Sequence, residues 1–344
     1  MKLAFTICSN NYLAHAKSLG DSLLRTNKEY RFVIVLVDRL SPEIDYRFFA
    51  PYEIITVEEL GIKDFDSVWR KYNIVELNTA VKPSAFKYLF AKYPDAPAAF
   101  YFDPDILIYR SLEDLEREFD ENDILLTPHV LTPMEFGPKR VVPSENTFLN
   151  FGLYNLGFLG LKARSGNTTA LLDWWENRTL NWGFINLSDG FFVDQLWINL
   201  VPIYFQKVKI LREMGYNMAP WNLHERGLME FRDGRYVLPD GSPLTFFHFS
   251  SYKFSEPENM AKHYDRFQFA DCMAVRPLYS EYQSLLLANR IGTLNVVSCY
   301  FIQKREEFLL ELKRQARRNS FFKRAIKGVV PPFFLKMAKK LYSV

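Results

Sequence analysis

Residues 99–108 read A-F-Y-F-D-P-D-I-L-I, and they place two carboxylates, Asp103 and Asp105, inside an otherwise apolar and aromatic run. Burying two unpaired carboxylates side by side is costly, so the pair needs a compensating partner. If the run forms one strand, side chains two residues apart lie on the same face, so both carboxylates can contact the same ligand. A divalent cation relieves their repulsion, and oxygen ligands favour magnesium or manganese. The sequence therefore predicts a metal site here; two aspartates capping a solvent-facing turn give the same pattern.

Strand-like and helix-like patterns alternate around this stretch through about residue 165 and predict an α/β fold. The run R-F-V-I-V-L-V-D at 31–38 is apolar on both faces, which is typical of a parallel sheet covered by helices on both sides. Further strands are predicted at 2–8, 98–108, 124–129 and 155–161, and residues 52–60 are predicted as a strand that enters a helix. Helices are predicted at 12–26 and 78–92. Because ligands bind at the carboxyl ends of strands in such sheets, Ser9, Tyr12, Asp38 and the aspartate pair become candidate site residues.

Composition excludes several classes of protein. The chain has 344 residues, of which 48% are hydrophobic, so it can bury a sizeable core. Cys8, Cys272 and Cys299 lie far apart and lack the spacing of a zinc site or a disulfide framework. No apolar run is long enough for a membrane-spanning helix, and the N-terminal run is too short for a signal peptide. We therefore expect a cytoplasmic protein.

The C-terminal part, residues 276–344, is predicted to be helical, and its end is basic and amphipathic. Residues 304–344 contain twelve lysines and arginines and three glutamates, a formal charge of +9 in a chain whose net charge is +3. Basic residues that alternate with aromatic and aliphatic ones suit an anionic membrane surface. We expect peripheral attachment to the inner face of the cytoplasmic membrane; a solvated or protein-binding helix gives the same pattern. Nucleic acid is not an expected partner, because the rest of the chain is acidic.

The motif around Asp103 and Asp105, followed by S-L-E-D-L, resembles the D-x-D strand of GT-A fold glycosyltransferases, above all family 8 and its bacterial relatives. The resemblance covers roughly residues 1–265, through several motifs in the same order. It implies a GT-A (Rossmann-like), mainly parallel sheet flanked by helices. It also implies transfer of a sugar from a nucleotide diphosphate donor, by preference a UDP-sugar, to a glycan or lipid-linked acceptor of bacterial polysaccharide or lipopolysaccharide synthesis, with retention of configuration.

The same resemblance divides the chain. It implies a glycosyltransferase domain over 1–275, with a nucleotide-binding half at 1–165 and an acceptor-side half at 166–275. The basic helical extension, 276–344, follows this domain.

Two motifs resemble the family's nucleotide-binding segments. T-I-C-S-N-N-Y at 6–12 is similar to the strand end that holds the base, whose stacking ring would be Tyr12. V-K-P-S-A-F-K at 81–87 is similar to a helix that offers a lysine to the nucleotide. A helix N-cap with a packed tyrosine, and a solvated helix lysine, are the structural alternatives. Asp38, which ends the predicted strand at 31–38, is added to these as a donor-binding candidate. The candidate donor-binding residues are therefore Thr6, Ser9, Tyr12, Asp38, Lys82 and Lys87.

Three later motifs imply the residues around the sugar and the metal. They are Y-N-L-G-F-L-G at 154–160, F-F-V-D-Q-L-W-I-N at 191–199 and F-F-H-F-S-S-Y-K at 246–253. The last departs from the family pattern at Ser251, where a glycine is usual, which weakens the assignment of the lysine that follows. The implied donor-binding residues are Asp103, Asn155, Gly157 and Lys253, and the implied catalytic residues are Asp194 and Gln195. The implied ligands of Mn²⁺ or Mg²⁺ are Asp103, Asp105 and His248.

The acceptor is expected over the irregular stretch G-Y-N-M-A-P-W-N-L-H-E-R at 215–226, which mixes aromatic and hydrogen-bonding groups. The candidates are Trp221, Asn222, His224 and Glu225, although core packing explains the tryptophan equally well. Whether Asp194 acts as a nucleophile or stabilises charge stays open. Two other classes also stay open: a non-catalytic nucleotide-sugar-binding or membrane-associated scaffold, and a phosphatase of the haloacid dehalogenase type, which also carries D-x-D after an apolar strand.

Overall fold

A computed structural model describes residues 1–135 and 141–318 of the chain, with side chains described as far as residue 315. Residues 319–344, which carry much of the expected membrane-binding segment, lie outside the described residues.

Helices and short strands alternate along the described chain. The strands are β1 (Lys2–Cys8), β2 (Tyr30–Leu36), β3 (Glu53–Thr56), β4 (Ala98–Phe102), β5 (Ile106–Ile108), β6 (Ile124–Pro128), β7 (Tyr154–Lys162), β8 (Ile185–Asn186), β9 (Phe191–Phe192), β10 (Val208–Ile210), β11 (Glu230–Arg232), β12 (Arg235–Val237) and β13 (Phe246–His248). The α-helices are α1 (Leu13–Thr26), α2 (Phe65–Lys71), α3 (Ile74–Ala80), α4 (Lys82–Lys92), α5 (Glu113–Arg117), α6 (Glu145–Phe151), α7 (Gly166–Trp182), α8 (Gln195–Ile198), α9 (Val201–Tyr204), α10 (Leu223–Arg226), α11 (Arg276–Ala288), α12 (Ile291–Leu294) and α13 (Tyr300–Arg318). Single 3₁₀ turns cover Asn10–Tyr12, Tyr46–Phe49, Val57–Leu60, Glu118–Asp120, Leu187–Asp189, Pro220–Asn222 and Met273–Val275.

The main sheet has seven strands in the order β10-β6-β7-β4-β1-β2-β3. Strand β1 pairs in parallel with β2 and β4, whereas β7 runs antiparallel to both β4 and β6. The expected mixed, mainly parallel sheet flanked by helices is therefore confirmed. The reversed β7 begins beside the carboxyl end of β4, so that the backbone N–H of Asp103 donates to the carbonyl of Gly157 at 2.8 Å. This reversal brings residues 154–157 to the edge where ligands bind in such sheets.

The side chains of β1 point alternately to the two faces of the sheet, and both faces are covered by helices. Leu3, Phe5 and Ile7 belong to one buried cluster with residues of α3, α4 and α7. Ala4 and Cys8 belong to the opposite cluster, with residues of α1 and α11. Successive side chains of a strand point to opposite faces, so a continuous apolar run needs helices on both sides.

The predicted strand at 98–108 is wrong as a single element. Strand β4 ends at Phe102 and β5 starts at Ile106, with a turn between them that contains Pro104. Strand β5 leaves the main sheet and pairs antiparallel with β13, where His248 lies opposite Ile106. Proline removes a backbone donor and favours turn positions, which fits a break at this point.

The predicted helix at 78–92 is likewise divided into α3 and α4. The break falls at Val81, two residues before Pro83. Proline cannot donate to the preceding turn and is tolerated only in the first turn of a helix, so α4 starts afresh at Lys82.

The helices after residue 275 pack against the main body. Tyr279, Tyr282 and Leu286 of α11 are buried in the same cluster as Leu13 and Leu19 of α1. Among residues 1–135 and 141–318, none of the helices has the length and apolar character needed to cross a bilayer.

Candidate functional site

Two carboxylates and one imidazole converge where the main sheet meets the β5–β13 pair. The Nε2 atom of His248 lies 3.1 Å from Oδ1 of Asp105 and 3.8 Å from Oδ2 of Asp103. One ligand atom from each of the three residues falls within 4.8 Å of the others. The imidazole is buried, whereas both carboxylates are partly exposed, so the group is reachable from solvent. We call Asp103, Asp105 and His248 the metal triad.

Local geometry creates the triad. The turn after β4 presents the two aspartates, and antiparallel pairing of β13 with β5 sets His248 opposite Ile106, the residue next to Asp105. The backbone N–H of Phe249 donates to the carbonyl of Asp105 at 2.8 Å, which fixes this register. The two carboxylates thus converge because the chain turns, and the imidazole arrives through long-range strand pairing.

Charges within the triad shift its pKa values in different directions. Burial acts to raise the pKa of Asp105, but the nearby His248 holds it below its usual value. Burial raises the pKa of Asp103, because Lys82 and His248 oppose it only in part. For His248, burial acts to lower the pKa, but the two aspartates outweigh it and raise the pKa above its ordinary value. The imidazole thus favours the charged form of each carboxylate, and the carboxylates favour the protonated imidazole, as expected for opposite charges that share a single site.

The residues present fit a divalent cation. Two carboxylates and one imidazole form a usual ligand set for metals that accept oxygen and nitrogen, and the approach of their ligand atoms matches one shared ion. The hydroxyl of Tyr101 donates to the carboxylate of Asp103 and thereby orients it. Such outer contacts commonly fix the direction of metal-ligating side chains.

Gly157 leaves room for the imidazole. A Cβ atom at this position would lie 2.5 Å from Cε1 and 2.6 Å from Nδ1 of His248. It would also lie 2.7 Å from Oδ1 of Asn155. In this structure the glycine therefore accommodates a metal-triad side chain.

The Gly157→Ala variant is expected to bind Mn²⁺ at least tenfold more weakly, because the added methyl group displaces the His248 ring. Thermal-shift titration with Mn²⁺ measures this affinity, and the melting temperature without metal reports any general loss of stability. The matched control is Gly166→Ala, since no atom lies within 4 Å of the added Cβ there. Unchanged Mn²⁺ affinity in Gly157→Ala would contradict the role of this glycine.

A buried ion pair lies behind the triad. Nζ of Lys82 is 2.6 Å from Oδ2 of Asp194, and both side chains are 2% exposed. The ammonium group also donates to the carbonyl of Leu156 at 3.0 Å and lies 4.3 Å from the centre of the Tyr101 ring. Burial raises the pKa of Asp194, and Lys82 only partly counters this effect. A chain of charged and polar groups thus connects Asp194 to Asp103.

The side chain of Gln195 is held by the backbone at the start of β7. Its Oε1 accepts from the N–H of Leu156 at 3.1 Å, and its Nε2 donates to the carbonyl of Phe151 at 2.8 Å. Both ends of the amide are therefore engaged, and the contacts hold the first residues of β7 in place.

Asn155 belongs to a buried polar network that includes two residues the sequence motifs did not single out. Its Nδ2 lies 3.2 Å from Nε2 of His129, and its Oδ1 accepts from Nδ2 of Asn217 at 3.0 Å. Burial lowers the pKa of His129 to about 3, so this imidazole is neutral and its Nε2 can accept. His129 directly follows β6, so the rule that ligands gather at strand ends could have found it. Asn217 lies in an irregular segment and carries no comparable signal.

The strand-end candidates differ in exposure. Tyr12 is 44% exposed and stacks on His15 with ring centres 4.5 Å apart, which leaves its outer face free. Partial burial and the charges of Asp105 and Asp103 raise the pKa of Tyr12 to about 12, as expected for a hydroxyl near the triad. Thr6 is fully buried on the same strand as Cys8.

Ser9 and Asp38 are tied into the backbone. The hydroxyl of Ser9 donates to the carbonyl of Val37 at 3.3 Å and accepts from Nδ2 of Asn78 at 3.0 Å. The Asp38 carboxylate accepts from the N–H groups of Asn10, Arg39 and Tyr300. It therefore anchors the start of α13, and burial raises its pKa.

Two further candidate lysines form ion pairs with acidic residues outside the triad. Lys87 forms ion pairs with Asp173 and Glu176 between α4 and α7. Lys253 is largely exposed and lies 3.6 Å from a Glu256 oxygen. Of Lys82 and Lys87, the two α4 lysines that the sequence motif proposed, only Lys82 lies close to the triad.

Of the predicted acceptor residues, Trp221 contacts the metal triad, whereas the other three form hydrogen bonds with the backbone. The Trp221 ring is buried edge-on against His248, with ring centres 5.1 Å apart. The Asn222 amide accepts from the N–H of Ala219 and donates to backbone carbonyls. The remaining pair, His224 and Glu225, lies by the 131–132 backbone, and the glutamate is also paired with Arg226.

Comparison with known proteins gives distant similarities. No protein-family model matches the chain. The uncharacterized protein YfnF of Bacillus subtilis (strain 168) is 27% identical over 173 residues, which are 50% of this chain and 55% of YfnF. The uncharacterized protein YfnD of the same strain is 25% identical over 258 residues, 72% of this chain and 76% of YfnD. The chain thus spans about half the length of YfnF and about three quarters of YfnD.

Several solved structures are also similar to this chain. The galactosyltransferase LgtC, in complex with donor and acceptor sugar analogs, is 16% identical with a TM-score of 0.46, covering 87% of this chain and 98% of LgtC. The glycosyltransferase GlyE of Streptococcus pneumoniae TIGR4 is 13% identical with a TM-score of 0.47, covering 83% and 62%. The bifunctional glycosyltransferase WbbM is 12% identical with a TM-score of 0.47, covering 89% and 51%. All three of these proteins are glycosyltransferases.

Proposed function

We propose that this protein is a metal-dependent glycosyltransferase that moves a sugar from a nucleotide diphosphate donor, by preference a UDP-sugar, to a glycan or lipid-linked acceptor with retention of configuration. The observation that carries the proposal is the convergence of Asp103, Asp105 and His248 at the ligand-binding edge of the sheet. A scaffold protein has no need to keep two acidic groups and a buried imidazole together at such a cost in desolvation.

The metal triad would hold the cation of the donor complex, Mn²⁺ or Mg²⁺. When bound, a divalent cation supplies Lewis-acid stabilisation of the negative charge on a departing diphosphate. The exposed face of Tyr12 is available to stack on the nucleotide base, an interaction worth about 1–3 kcal/mol in other base-binding proteins.

Asp194 is the proposed source of negative charge beside the sugar ring. Burial raises its pKa, and the pairing with Lys82 opposes this effect in part and favours the carboxylate. A carboxylate held in this way can stabilise positive charge that develops on the sugar carbon. Gln195 and Asn155 would then act by holding the backbone of residues 151–157 in position.

Donor binding is expected to depend on metal. In a thermal-shift panel of nucleotide sugars, one donor should raise the melting temperature with Mn²⁺ present and have little effect with EDTA. At a free ligand concentration of a hundred times Kd, binding stabilises the folded state by about 2.7 kcal/mol. Equal stabilisation with EDTA would contradict the role of the triad. Metal-dependent binding without release of the nucleoside diphosphate would favour the non-catalytic binding protein instead.

A further inference from the structure

A cavity opens beyond the far end of β5, away from the metal triad. It has a volume of about 510 Å³. Residues 109 and 110, which follow β5, line it together with parts of α1, α11 and the β11–β12 hairpin. Asp105 precedes β5 and Tyr109 follows it, so a rise of roughly 3.3 Å per residue separates them by about 13 Å. We call this the arginine cavity, after the arginines that line it: Arg25, Arg110 and Arg235.

The arginine cavity carries net positive charge. Its three arginines are opposed by one lining carboxylate, Glu281. Arg25 pairs with Glu281 at 2.8 Å, and Arg110 pairs with Asp114 at 2.5 Å. Arg235 is exposed and has no ion-pair partner among the described residues. Its guanidinium is therefore available to an acidic ligand, and this group suits the paired oxygens of a carboxylate or phosphate.

Aromatic rings form another part of the wall. Tyr109 and Phe231 both contact Tyr236 edge-on, with ring centres 5.8 Å and 4.9 Å apart. The Phe231 side chain lines the cavity and is 65% exposed. An exposed aromatic face beside charged groups is suited to a ligand that has one flat, apolar face and a polar edge.

We propose that the arginine cavity binds an acidic sugar, that is, a sugar ring carrying a carboxylate or a phosphate. Arg235 pairs with the acid group, and Glu281 accepts hydrogen bonds from hydroxyl groups. The sugar ring packs on Phe231 at the rim.

This site goes beyond the proposed transfer reaction and does not depend on it. The residues of the arginine cavity are distinct from the metal triad and from the Lys82–Asp194 pair. A protein that fails to transfer sugar could still bind an acidic saccharide here. The two proposals can therefore fail separately.

Isothermal titration calorimetry of the full chain tests the proposal with four probes. Trigalacturonate carries carboxylates, glucose 6-phosphate carries a phosphate, maltotriose is neutral, and inorganic phosphate is an acid without a sugar. At least one acidic sugar is expected to bind at least tenfold more tightly than both maltotriose and inorganic phosphate. Binding of neither acidic sugar, or equal binding of maltotriose or inorganic phosphate, would overturn the proposal.

Two variants locate the binding. Arg235→Ala is expected to weaken binding of the acidic sugar at least tenfold. The matched control, Arg232→Ala, removes the same charge from the same hairpin, but this arginine is paired with Glu230 and does not line the cavity, so its effect should stay within twofold. Equal losses in the two variants would indicate diffuse attraction to the hairpin and would overturn the proposal. Asp105→Asn should leave this affinity unchanged, which separates the cavity from the triad.

Discussion

The Asp105→Asn variant is expected to lose at least a thousandfold in sugar transfer. Asparagine keeps the shape of the side chain but removes the negative charge that faces His248 and the proposed cation. A cation at such a site contributes several kcal/mol to the transition state, and about 4 kcal/mol corresponds to a thousandfold change in rate. The measurement is release of the nucleoside diphosphate from whichever donor stabilises the wild-type protein with Mn²⁺.

A second measurement and a control variant make this experiment specific to the triad. The Mn²⁺-dependent thermal shift should disappear along with transfer in Asp105→Asn. Asp45→Asn is the control, since this aspartate is exposed and is paired with Arg47 away from the triad. Transfer within tenfold of the wild type in Asp105→Asn would refute the proposed metal-dependent reaction.

The Lys82→Met variant is expected to destabilise the fold by about 3–5 kcal/mol. The substitution leaves the carboxylate of Asp194 buried without its cation, and breaking one side of a buried pair costs this much. Urea unfolding at pH 7.5 measures the loss. Lys87→Met is the matched control on the same helix: its ion pairs are partly exposed, so the loss should stay below about 1 kcal/mol.

The destabilisation should also grow with pH. Without Lys82 the folded-state pKa of Asp194 rises further above that of the unfolded chain, because burial is then less opposed. A raised folded pKa means that stability is fully present below the unfolded pKa and is lost as pH rises towards the folded value. The difference between Lys82→Met and wild type should therefore be smaller at pH 5.5 than at pH 7.5.

A double variant separates charge from packing. Lys82→Met with Asp194→Asn should recover much of the lost stability, since no unpaired charge remains buried. No recovery, together with a pH-independent loss in the single variant, would show that Lys82 contributes through packing alone.

The order of strands and helices around the sheet could be predicted from local pattern. Residues 31–38 are apolar on both faces, and such a strand requires cover on both sides wherever it lies. The residues at which individual strands begin and end were less predictable than the order of the elements. The run at 98–108 is apolar throughout except at its aspartates, so periodicity could not show that β5 leaves the main sheet after the turn at Pro104.

The candidate site was predictable only where a residue type implies its own chemistry. Asp103 and Asp105 lie two residues apart in sequence and are costly to bury, which indicates a shared cation without any knowledge of the fold. Nothing local distinguishes Lys82 from Lys87, yet the first lies in a buried pair and the second on a partly exposed helix face. The difference arises from which element packs opposite each lysine.

The sequence alone determined the layered α/β architecture and the position of the aspartate pair, because apolar periodicity and side-chain charge are local properties. Only the tertiary structure decided that His248 faces that pair, that Gly157 makes room for its ring, and that Arg235 faces a cavity while remaining unpaired among the described residues. Those outcomes depend on strand register and on helix packing between distant segments. Register and packing minimise the free energy of the whole chain, so no short motif contains them.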